Sequence, residues 1–510
     1  MYRREFLATA AGSALAQTPP AGRPNILHIQ TDQQQWATIL GRSQCRTPNL
    51  NRLAGEGMAF ERSYTPCAVC CPSRAMTLSG AYHWHNGVYN QIHSAPSVKR
   101  DLNPDTVLYS QRLRDAGYKL GYVGKWHCSW TRTPADFGYH ELANVFGCDP
   151  AALRKLNLNP DSVAKPKRLP ATAVRTFRWP GSESFTMWGY TEGSEDETPE
   201  AYSTECATRM MRRFAAGSQP WHLEVQYVQP HDPYMPLKQY LDRYDPRSIP
   251  VARSFADTFH NKPGLHRRES ESWGSMTEDD FRHGRAHYYA HTEQLDAQIG
   301  RLLKTLDETG QASNTLVVFT TDHGDMAGAH RMWIKGWIPY EEAYRVPMIA
   351  RWPGHIQPGS TTSALAQLQD LAHTYVDVAG AKPLPHPDGR SLTPLFRDPR
   401  PAGWRDTILN AYYGGEFLYT QRMAVTDRFK YVFNGFDTDE MYDLERDPDE
   451  MNNVAADASY AAQADDMRAR LYELMKQFHD PYGPTGTTTS EGEPPNRYGA
   501  ERYLARGKRI

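Results

Sequence analysis

Apolar segments of strand length alternate with longer amphipathic segments along most of this chain. Residues 25–31 and 315–320 are largely apolar, and residues 221–229 alternate apolar and polar side chains. The clearest helical pattern covers residues 283–308, where leucine and isoleucine recur on one stripe. Strands that alternate with helices of this length predict βαβ units. We therefore expect an α/β fold with a large, mostly parallel sheet sandwiched by helices.

The chain has 510 residues, which is enough for one large domain and a smaller one. A cluster of prolines and a change in composition end the first domain, which we assign to residues 23–389. Residues 390–480 follow, with strand patterns in 422–433 and an amphipathic helix in 461–478, and predict a smaller C-terminal α+β domain. Residues 481–510 are rich in Gly, Pro and Thr and are interpreted as a tail.

Two stretches within the larger domain lack a clear period. Residues 131–200 and 243–284 are long, polar and weakly periodic. Loops of this length in a compact domain usually have a functional role. We expect both stretches to be loops that shape a substrate site.

The amino terminus has the pattern of an export signal. Arg3 and Arg4 precede a run of small and apolar residues, 8–16, which ends in an Ala-Leu-Ala sequence before Gln17. The paired arginines match the bacterial twin-arginine signal. We therefore interpret residues 1–22 as a signal peptide and expect a periplasmic or extracellular protein. No run of 18 apolar residues occurs, so no transmembrane helix is predicted.

The charge balance argues against partners that are chosen by bulk charge. Lys and Arg together number 57, Asp and Glu 59, and the net charge is −2. A nucleic-acid-binding protein would carry a basic surface instead. We predict no nucleic-acid partner.

The seven cysteines do not form the pattern of a disulfide scaffold. Their number is odd, and Cys67, Cys70 and Cys71 fall within five residues. The CxxC that begins at Cys67 has no second CxxC with which to complete a zinc knuckle. A thiol selected for chemistry is the simplest interpretation.

Polar residues follow the predicted strands at the point where each strand ends. In parallel sheets, ligands bind at the carboxyl ends of the strands. These ends therefore predict an active site. The residues concerned are Asp32, Lys125, His127, His231, Asp322 and His323.

Two of these strand ends also predict a metal site. Asp32 and Gln33 follow one strand, and Asp322 and His323 follow another. Carboxylate and carbonyl oxygens favour Ca²⁺ or Mg²⁺, and the imidazole makes Mn²⁺ a further candidate. The pattern predicts one divalent cation.

The segment Cys70-Cys71-Pro72-Ser73-Arg74 continues as Ala-Met-Thr-Leu-Ser-Gly. Pro72 suits a first helical turn, so Cys70 is expected just before the amino terminus of a helix, where backbone N–H groups attract anions. The segment resembles the C-x-P-S-R-x-x-x-[LT]-[ST]-G signature of the type I sulfatases, within the alkaline phosphatase superfamily. Gly-Lys-Trp-His at 124–127, Pro-His-Asp-Pro-Tyr at 230–234, Lys335 and a closing motif after Glu440 match other family segments.

This resemblance implies a cofactor and a modification. In the family, a maturation enzyme oxidises the cysteine that corresponds to Cys70 to formylglycine. One Ca²⁺ is then held by the residues matching Asp32 and Asp322 and by the formylglycine itself. Gln33 stands where a second Asp is usual, and His323 where Asn is common, so Mn²⁺ and Mg²⁺ stay open beside Ca²⁺.

The resemblance also implies a double displacement on a sulfate ester. Hydrated formylglycine would attack sulfur with Asp322 as the base, while His231 and Lys335 stabilise or protonate the departing alcohol. His127 would then take a proton from the remaining hydroxyl, which releases sulfate. Arg74 and Lys125 would hold the diol in place. The many aromatic residues favour a sulfated carbohydrate as the substrate.

Two alternatives accompany this prediction. Gln33 and His323 also occur in hydrolases of phosphonate and phosphate diesters, which have the same fold. A second alternative, of another class, is a sulfated-glycan-binding protein without catalysis.

One further histidine pair resembles a metal motif only in its spacing. His287 and His291 lie one helical turn apart, without the glutamate of an H-E-x-x-H motif. We interpret both as residues on a helix surface.

Overall fold

The computed structural model describes residues 22–94, 97–179, 182–336, 338–415, 419–435 and 437–481. Most of the predicted export signal, residues 1–21, and nearly all of the predicted tail, residues 482–510, lie outside the described residues. No helix within the described ranges is long and apolar enough to cross a membrane.

The strands of the described chain are β1 (Asn25–Thr31), β2 (Met58–Phe60), β3 (Ser63–Tyr64), β4 (Lys119–Lys125), β5 (Glu141–Phe146), β6 (Ala171–Trp179), β7 (Ser182–Thr191), β8 (Trp221–Gln226), β9 (Thr315–Thr321), β10 (Met348–Arg351), β11 (Ser360–Thr362), β12 (Ala366–Gln367), β13 (Ile408–Tyr412), β14 (Gln421–Val425), β15 (Phe429–Phe433) and β16 (Glu440–Asp443).

The α-helices are α1 (Pro48–Gly55), α2 (Cys70–Ser79), α3 (His83–Asn86), α4 (Tyr109–Asp115), α5 (Pro150–Leu153), α6 (Pro199–Ala215), α7 (Lys238–Leu241), α8 (Gly264–Ser272), α9 (Glu278–Glu308), α10 (Glu341–Tyr344), α11 (Asp370–Val378), α12 (Thr393–Arg397) and α13 (Ala461–Gln477).

The central sheet confirms the α/β prediction. Its eight strands lie in the order β11-β2-β10-β9-β1-β8-β4-β5 within the described residues. Strand β1 is parallel to both β8 and β9, and β4 is parallel to both β8 and β5. Strand β10 is antiparallel to its two neighbours. The sheet is therefore mixed but mostly parallel, and β1, β8, β9 and β4 end at one edge.

Helices cover both faces of this sheet. Neighbouring residues of each strand point to opposite faces, so each strand contributes apolar side chains to a core on either side. Leu27 and Ile29 of β1 pack in a core with residues of α1, α6 and α9. Ile26 points the other way and packs in a core with residues of α2, α4 and α11. The chain thus forms the predicted sandwich.

The C-terminal part forms a separate small antiparallel sheet. Strands β13, β14, β15 and β16 pair in chain order, and α13 packs on them through Met467, Leu471 and Met475. This confirms a smaller α+β unit, although the boundary between residues 389 and 390 stays a prediction.

The prediction of long loops was wrong in both stretches. Residues 131–200 contain β5, α5, the start of α6 and an antiparallel hairpin of β6 and β7. Residues 243–284 contain α8 and the first turns of α9. Helix α9 begins earlier than its apolar stripe because Thr277 caps it, and Asp280 accepts a hydrogen bond from the Thr277 backbone N–H at 2.9 Å.

Candidate active site

Helix α2 carries the signature segment into the interior. The helix begins at Cys70 itself, directly after Val69 in an extended conformation, and it ends at Ser79, with Gly80 as the C-cap at φ 68°. Every residue of α2 is buried, and Cys70 is only 1% exposed. The cysteine therefore lies in the first turn of the helix, where free backbone N–H groups produce a positive end.

Four predicted site residues converge on one point. The potential ligand atoms of Asp32, Cys70, Asp322 and His323 lie within 4.8 Å of one another, and all four residues are buried. The Cys70 Sγ is 3.2 Å from His323 Nε2 and 3.9 Å from Asp32 Oδ1. Asp32 follows β1 and Asp322 follows β9, so the parallel pairing of these strands brings the two carboxylates together.

The donor atoms of this cluster fit a divalent cation. The His323 Nδ1 donates to the Gly324 carbonyl at 2.9 Å, which leaves the Nε2 lone pair available as a ligand. The Asp32 Oδ2 accepts from Arg74 at 3.0 Å, and the Asp322 Oδ2 accepts from Arg74 at 2.8 Å. Each carboxylate thus keeps its Oδ1 on the side of the Cys70 thiol and the imidazole. Two carboxylates and one imidazole are compatible with Ca²⁺, Mg²⁺ or Mn²⁺.

Gln33 links this cluster to a second group of polar residues. Its backbone has φ 63°, and its side-chain Nε2 donates to Asp232 at 2.9 Å and to Asp325 at 2.6 Å. Its Oε1 accepts a hydrogen bond from Lys335. The predicted ligand role of Gln33 stays a prediction, because its side-chain oxygen faces Lys335 in this arrangement.

Arg74 and Lys125 surround the carboxylates with positive charge. The Lys125 Nζ is 2.5 Å from the Asp32 Oδ2. Burial raises the pKa of Asp32, but Lys125, His231 and Arg74 together outweigh it and hold that pKa below its usual value. Both cations are 5% exposed or less, so their charges are fixed by the carboxylates rather than by water.

His231 and Lys335 form a hydrogen-bonded pair at the edge of the cluster. The His231 Nδ1 donates to the Asp232 carbonyl at 2.8 Å, and its Nε2 is 2.7 Å from the Lys335 Nζ. Burial lowers the pKa of His231, but the carboxylates of Asp232 and Asp32 outweigh it and raise that pKa to about 9. A proton held by this pair can be delivered near neutral pH.

His127 is also close to Cys70, and it differs from His231 in its charge. Burial, reinforced by Lys125, lowers the pKa of His127 to about 3, so its imidazole is neutral and can accept a proton. His93 stacks on this ring, with centroids 4.7 Å apart and planes at 15°. His93 and Gln91 are site residues that the sequence did not indicate, since the segment that carries them matches no quoted motif.

A cavity of about 540 Å³ opens onto these groups. We call it the catalytic cavity; its lining includes Cys70, His93, Lys125, His127, His231 and Lys335. The predicted site residues therefore lie together. Asp32, Gln33, Arg74, Asp322 and His323 lie behind them in the buried cluster.

A polar row beneath the cavity was also missed by sequence reasoning. The Gln226 Oε1 accepts from Arg74 Nη1 at 2.5 Å, and its Nε2 donates to Glu224 at 2.7 Å. Glu224 in turn lies 2.9 Å from His28 Nδ1. The alternation in residues 221–229 was the available signal, because it puts Glu224 and Gln226 on the same face of β8.

The histidine pair of α9 does not lie on the surface. His287 and His291 are each 6% exposed, which contradicts the interpretation as surface residues. The hairpin covers the first of them: the Trp188 ring of β7 lies 5.8 Å from that of His287. The hairpin, which sequence periodicity did not indicate, therefore buries a face of α9 that was predicted to be exposed.

Comparison with known proteins agrees with this geometry. A family model described as Sulfatase matches residues 24–381, and a second, described as N-sulphoglucosamine sulphohydrolase, C-terminal, matches residues 328–477. The first match covers well over half of the sequence. The chain belongs to the sulfatase family, and its fold is that of the alkaline-phosphatase-like sulfatases.

The relatives span nearly the whole chain. An arylsulfatase of Clostridium perfringens is 28% identical over 90% of this chain and 96% of its own length. An N-acetylglucosamine-6-O-sulfatase of Bacteroides thetaiotaomicron is 25% identical over 92% of this chain and 89% of its own length. Together with the family match, these relatives make the protein a sulfuric ester hydrolase.

A solved structure shares the fold at lower identity. A phosphonate monoester hydrolase from Silicibacter pomeroyi superposes with a TM-score of 0.73 at 23% identity, over 89% of this chain and 96% of its own. At this identity the similarity supports the shared fold and does not indicate the substrate.

Proposed function

We propose that this enzyme releases sulfate from a sulfated carbohydrate, with Cys70 converted to formylglycine as its nucleophile. The observation that carries the proposal is the convergence of Asp32, Cys70, Asp322 and His323 on one buried point at the start of α2. In this proposal Asp32, Asp322 and His323 hold one divalent cation, with Gln33 as a further ligand. Ca²⁺ is the ion we favour, since oxygens dominate the donor set.

The divalent cation would supply positive charge, and the formylglycine would supply a nucleophile. A bound cation would neutralise negative charge on the sulfate ester and on the attacking oxygen. Formylglycine, as its hydrate, would supply the hydroxyl that forms the covalent sulfate ester, so that two easier steps replace one difficult step.

Arg74 and Lys125 have an electrostatic role in this scheme. Arg74 bridges Asp32 and Asp322 and keeps their second oxygens directed at the Cys70 position. Lys125 both pairs with Asp32 and lines the catalytic cavity, where it can attract the sulfate group. Fixed cations in a buried site stabilise developing negative charge without reorganisation.

The histidines divide the proton transfers between them. His231, with Lys335, holds a proton that can be given to the departing alcohol oxygen. The neutral His127, which also lies close to Cys70, can remove a proton when sulfate is released. Two imidazoles with pKa values pushed in opposite directions are suited to one acid and one base role.

The proposed substrate class rests on the relatives, and the proposed location rests on the amino-terminal sequence. The N-acetylglucosamine-6-O-sulfatase relative and the sulphoglucosamine sulphohydrolase match both favour an aminosugar sulfate. The amino-terminal twin-arginine pattern favours export to the periplasm or the extracellular space. A formylglycine-generating maturation enzyme is the partner that this scheme requires.

Hydrolysis of a phosphonate or phosphate diester is the second candidate. His323 within the cluster favours it, and the fold is shared with a phosphonate monoester hydrolase. The buried cations suit either anion, so the choice depends on relative rates. We expect an aryl sulfate to be hydrolysed faster than an aryl phosphate diester, and the reverse order would favour the second candidate.

The test of the chemistry is mass spectrometry of the tryptic peptide from Ser63 to Arg74, isolated from the native host. An aldehyde at Cys70 is expected, and an unmodified thiol in active enzyme would contradict the proposal. Sulfate release from a panel of sulfated sugars tests the activity. Binding without any release, at saturating metal, would instead favour a non-catalytic glycan-binding protein.

A further inference from the structure

A second cavity, which we call the accessory cavity, adjoins the catalytic cavity. It has a volume of about 650 Å³, and both cavities are lined by Val228, His231 and Asp232. Its other walls come from residues 165–169, the β6–β7 hairpin, the start of α6 and the middle of α9. A volume of this size is typical of a ligand site.

Three cations stand at the rim of the accessory cavity without acidic partners. Lys165, Lys167 and Arg168 all line it and are exposed. None of them forms an ion pair with another described residue, in contrast to Arg74 and Lys125. Cations that no carboxylate neutralises are available to an anionic ligand.

The acidic residues of the same walls are already engaged. The Glu197 Oε2 accepts from the Ser194 backbone N–H at 2.8 Å and from its hydroxyl at 3.1 Å. Glu200 is buried and accepts from Gln294, and burial raises the pKa of its carboxyl group. Asp232 pairs with His231. Glu197 keeps its negative charge but is outnumbered by Lys165, Lys167 and Arg168, so the net charge that these walls offer to a ligand is positive.

The cavity also offers surfaces that suit a sugar ring. Leu169, Val174 and Met235 contribute apolar area, and the Tyr202 ring lies 5.9 Å from Lys165 Nζ. Aromatic and apolar faces pack against the C–H faces of sugars while cations bind their charged substituents.

We propose that the accessory cavity binds the neighbouring sugar of a sulfated oligosaccharide, and that Lys165, Lys167 and Arg168 bind a second anionic group on that sugar. This inference rests on the proposed function. Because His231 and Asp232 belong to both cavities, a sugar whose sulfate reaches Cys70 has its neighbour next to the three cations. The second anionic group is a sulfate ester or a uronate carboxylate.

The test compares the triple variant K165A/K167A/R168A with the wild type on 4-nitrophenyl sulfate. Inhibition of this reaction is measured with a disulfated disaccharide, a monosulfated disaccharide that contains a uronate, and a monosulfated disaccharide whose second sugar is neutral. The triple variant should hydrolyse the aryl sulfate within twofold of wild type. It should bind the charged disaccharides about tenfold more weakly, as expected for a few exposed charge contacts.

The disaccharides separate the two sources of the second charge. A loss confined to the disulfated disaccharide assigns the cations to a sulfate ester, and a loss confined to the uronate assigns them to a carboxylate. The neutral second sugar should bind equally to both enzymes. Equal binding of all three disaccharides by wild type and variant would overturn the proposal.

A matched control removes three exposed cations elsewhere. Arg154, Lys155 and Lys382 are exposed and do not line either cavity, so R154A/K155A/K382A changes the net charge equally. An equal loss in this control would indicate a bulk charge effect and overturn the assignment. The single reversal K167E gives a second measurement should the triple variant fold poorly.

Calorimetric titration with the disulfated disaccharide, with and without the triple variant in a Cys70→Ala background, measures the same difference without turnover. Failure of the proposed sulfatase chemistry would appear as no sulfate release from any substrate. Failure of this inference would appear as unchanged binding in the triple variant, so the two failures are distinguishable.

Discussion

The catalytic and accessory cavities share a wall, but their cations differ in burial and in ion pairing. Lys125 lines the catalytic cavity and Arg74 lies behind it, and both are buried and paired with carboxylates at 3.0 Å or less. At the rim of the accessory cavity, Lys165, Lys167 and Arg168 are exposed and form no ion pair with a described residue. Paired and buried cations hold reacting groups in fixed positions, whereas exposed cations can adjust to a ligand. The contrast assigns chemistry to one cavity and recognition to the other.

His231 and His291 show a similar contrast in the charge of their imidazoles. His231 is partly buried beside Asp232; burial lowers its pKa, but the carboxylates of Asp232 and Asp32 outweigh it and raise that pKa to about 9. His291, in the wall of the accessory cavity, is buried beside His287, and burial lowers its pKa to about 3. Burial alone therefore keeps an imidazole neutral, and a neighbouring carboxylate is needed to keep it protonated.

The largest expected effect is that of Cys70→Ala. This change removes the proposed nucleophile, so we expect turnover to fall by about 10⁴-fold or more. Binding of the disulfated disaccharide, measured by calorimetry, should persist because the accessory cavity is intact. Cys71→Ala is the matched control: this neighbour is equally buried, and its Sγ donates to Gln91 at 2.8 Å. Near-normal turnover in Cys70→Ala, or an equal loss in both variants, would contradict the covalent scheme.

His231→Asn should have an intermediate effect. Loss of the proton donor should lower kcat by about 10²–10⁴-fold on a sulfated sugar, whose alcohol leaves poorly without a proton. The loss should be smaller on 4-nitrophenyl sulfate, because nitrophenolate leaves without protonation. His93→Asn serves as the control, since His93 lines the same cavity beside His127. Equal losses on both substrates would show that His231 has another role.

The sequence predicted the catalytic cavity far better than the accessory cavity. Asp32 and Asp322 directly follow β1 and β9, Lys125 is the last residue of β4, and Cys70 begins α2. The positions of Asp32, Lys125 and Asp322 therefore follow from strand order alone. The accessory cavity is lined by residues between 165 and 202, which include the β6–β7 hairpin, and by residues of 228–235 and 291–294. Residues 171–191 have no clear alternation, and the register of the hairpin shifts at several positions.

The burial of α9 shows why local patterns were not sufficient there. The i, i+4 spacing of His287 and His291 correctly places them on one face of a helix, but nothing in the spacing tells whether that face is covered. Trp188 lies about a hundred positions earlier in the chain, and its contact with His287 depends on the tertiary fold. Support for Arg74 by Gln226 was missed for the same reason, since the two lie in different elements.

The smallest expected effect concerns stability rather than turnover, and it uses His291→Gln. The unfolded chain protonates this histidine below about pH 6.5, whereas the folded chain resists protonation down to about pH 3. The neutral histidine thus contributes stability that is fully present above pH 6.5 and is lost as the pH falls towards 3. At about 1.4 kcal/mol per pH unit, the wild type should lose up to roughly 3 kcal/mol between pH 6.5 and 4 through this residue.

Glutamine does not titrate, so the free energy of unfolding of His291→Gln should fall less steeply over that range. Urea unfolding at each pH measures it, and aryl sulfate turnover at pH 7 should stay within a few-fold of wild type. His283→Gln is the matched control, because His283 lies on the same helix but its side chain is 42% exposed. Parallel stability curves for wild type and His291→Gln would mean that His291 can be protonated in the folded state. The neutral wall of the accessory cavity would then become cationic in acid, and the contrast with His231 would be lost.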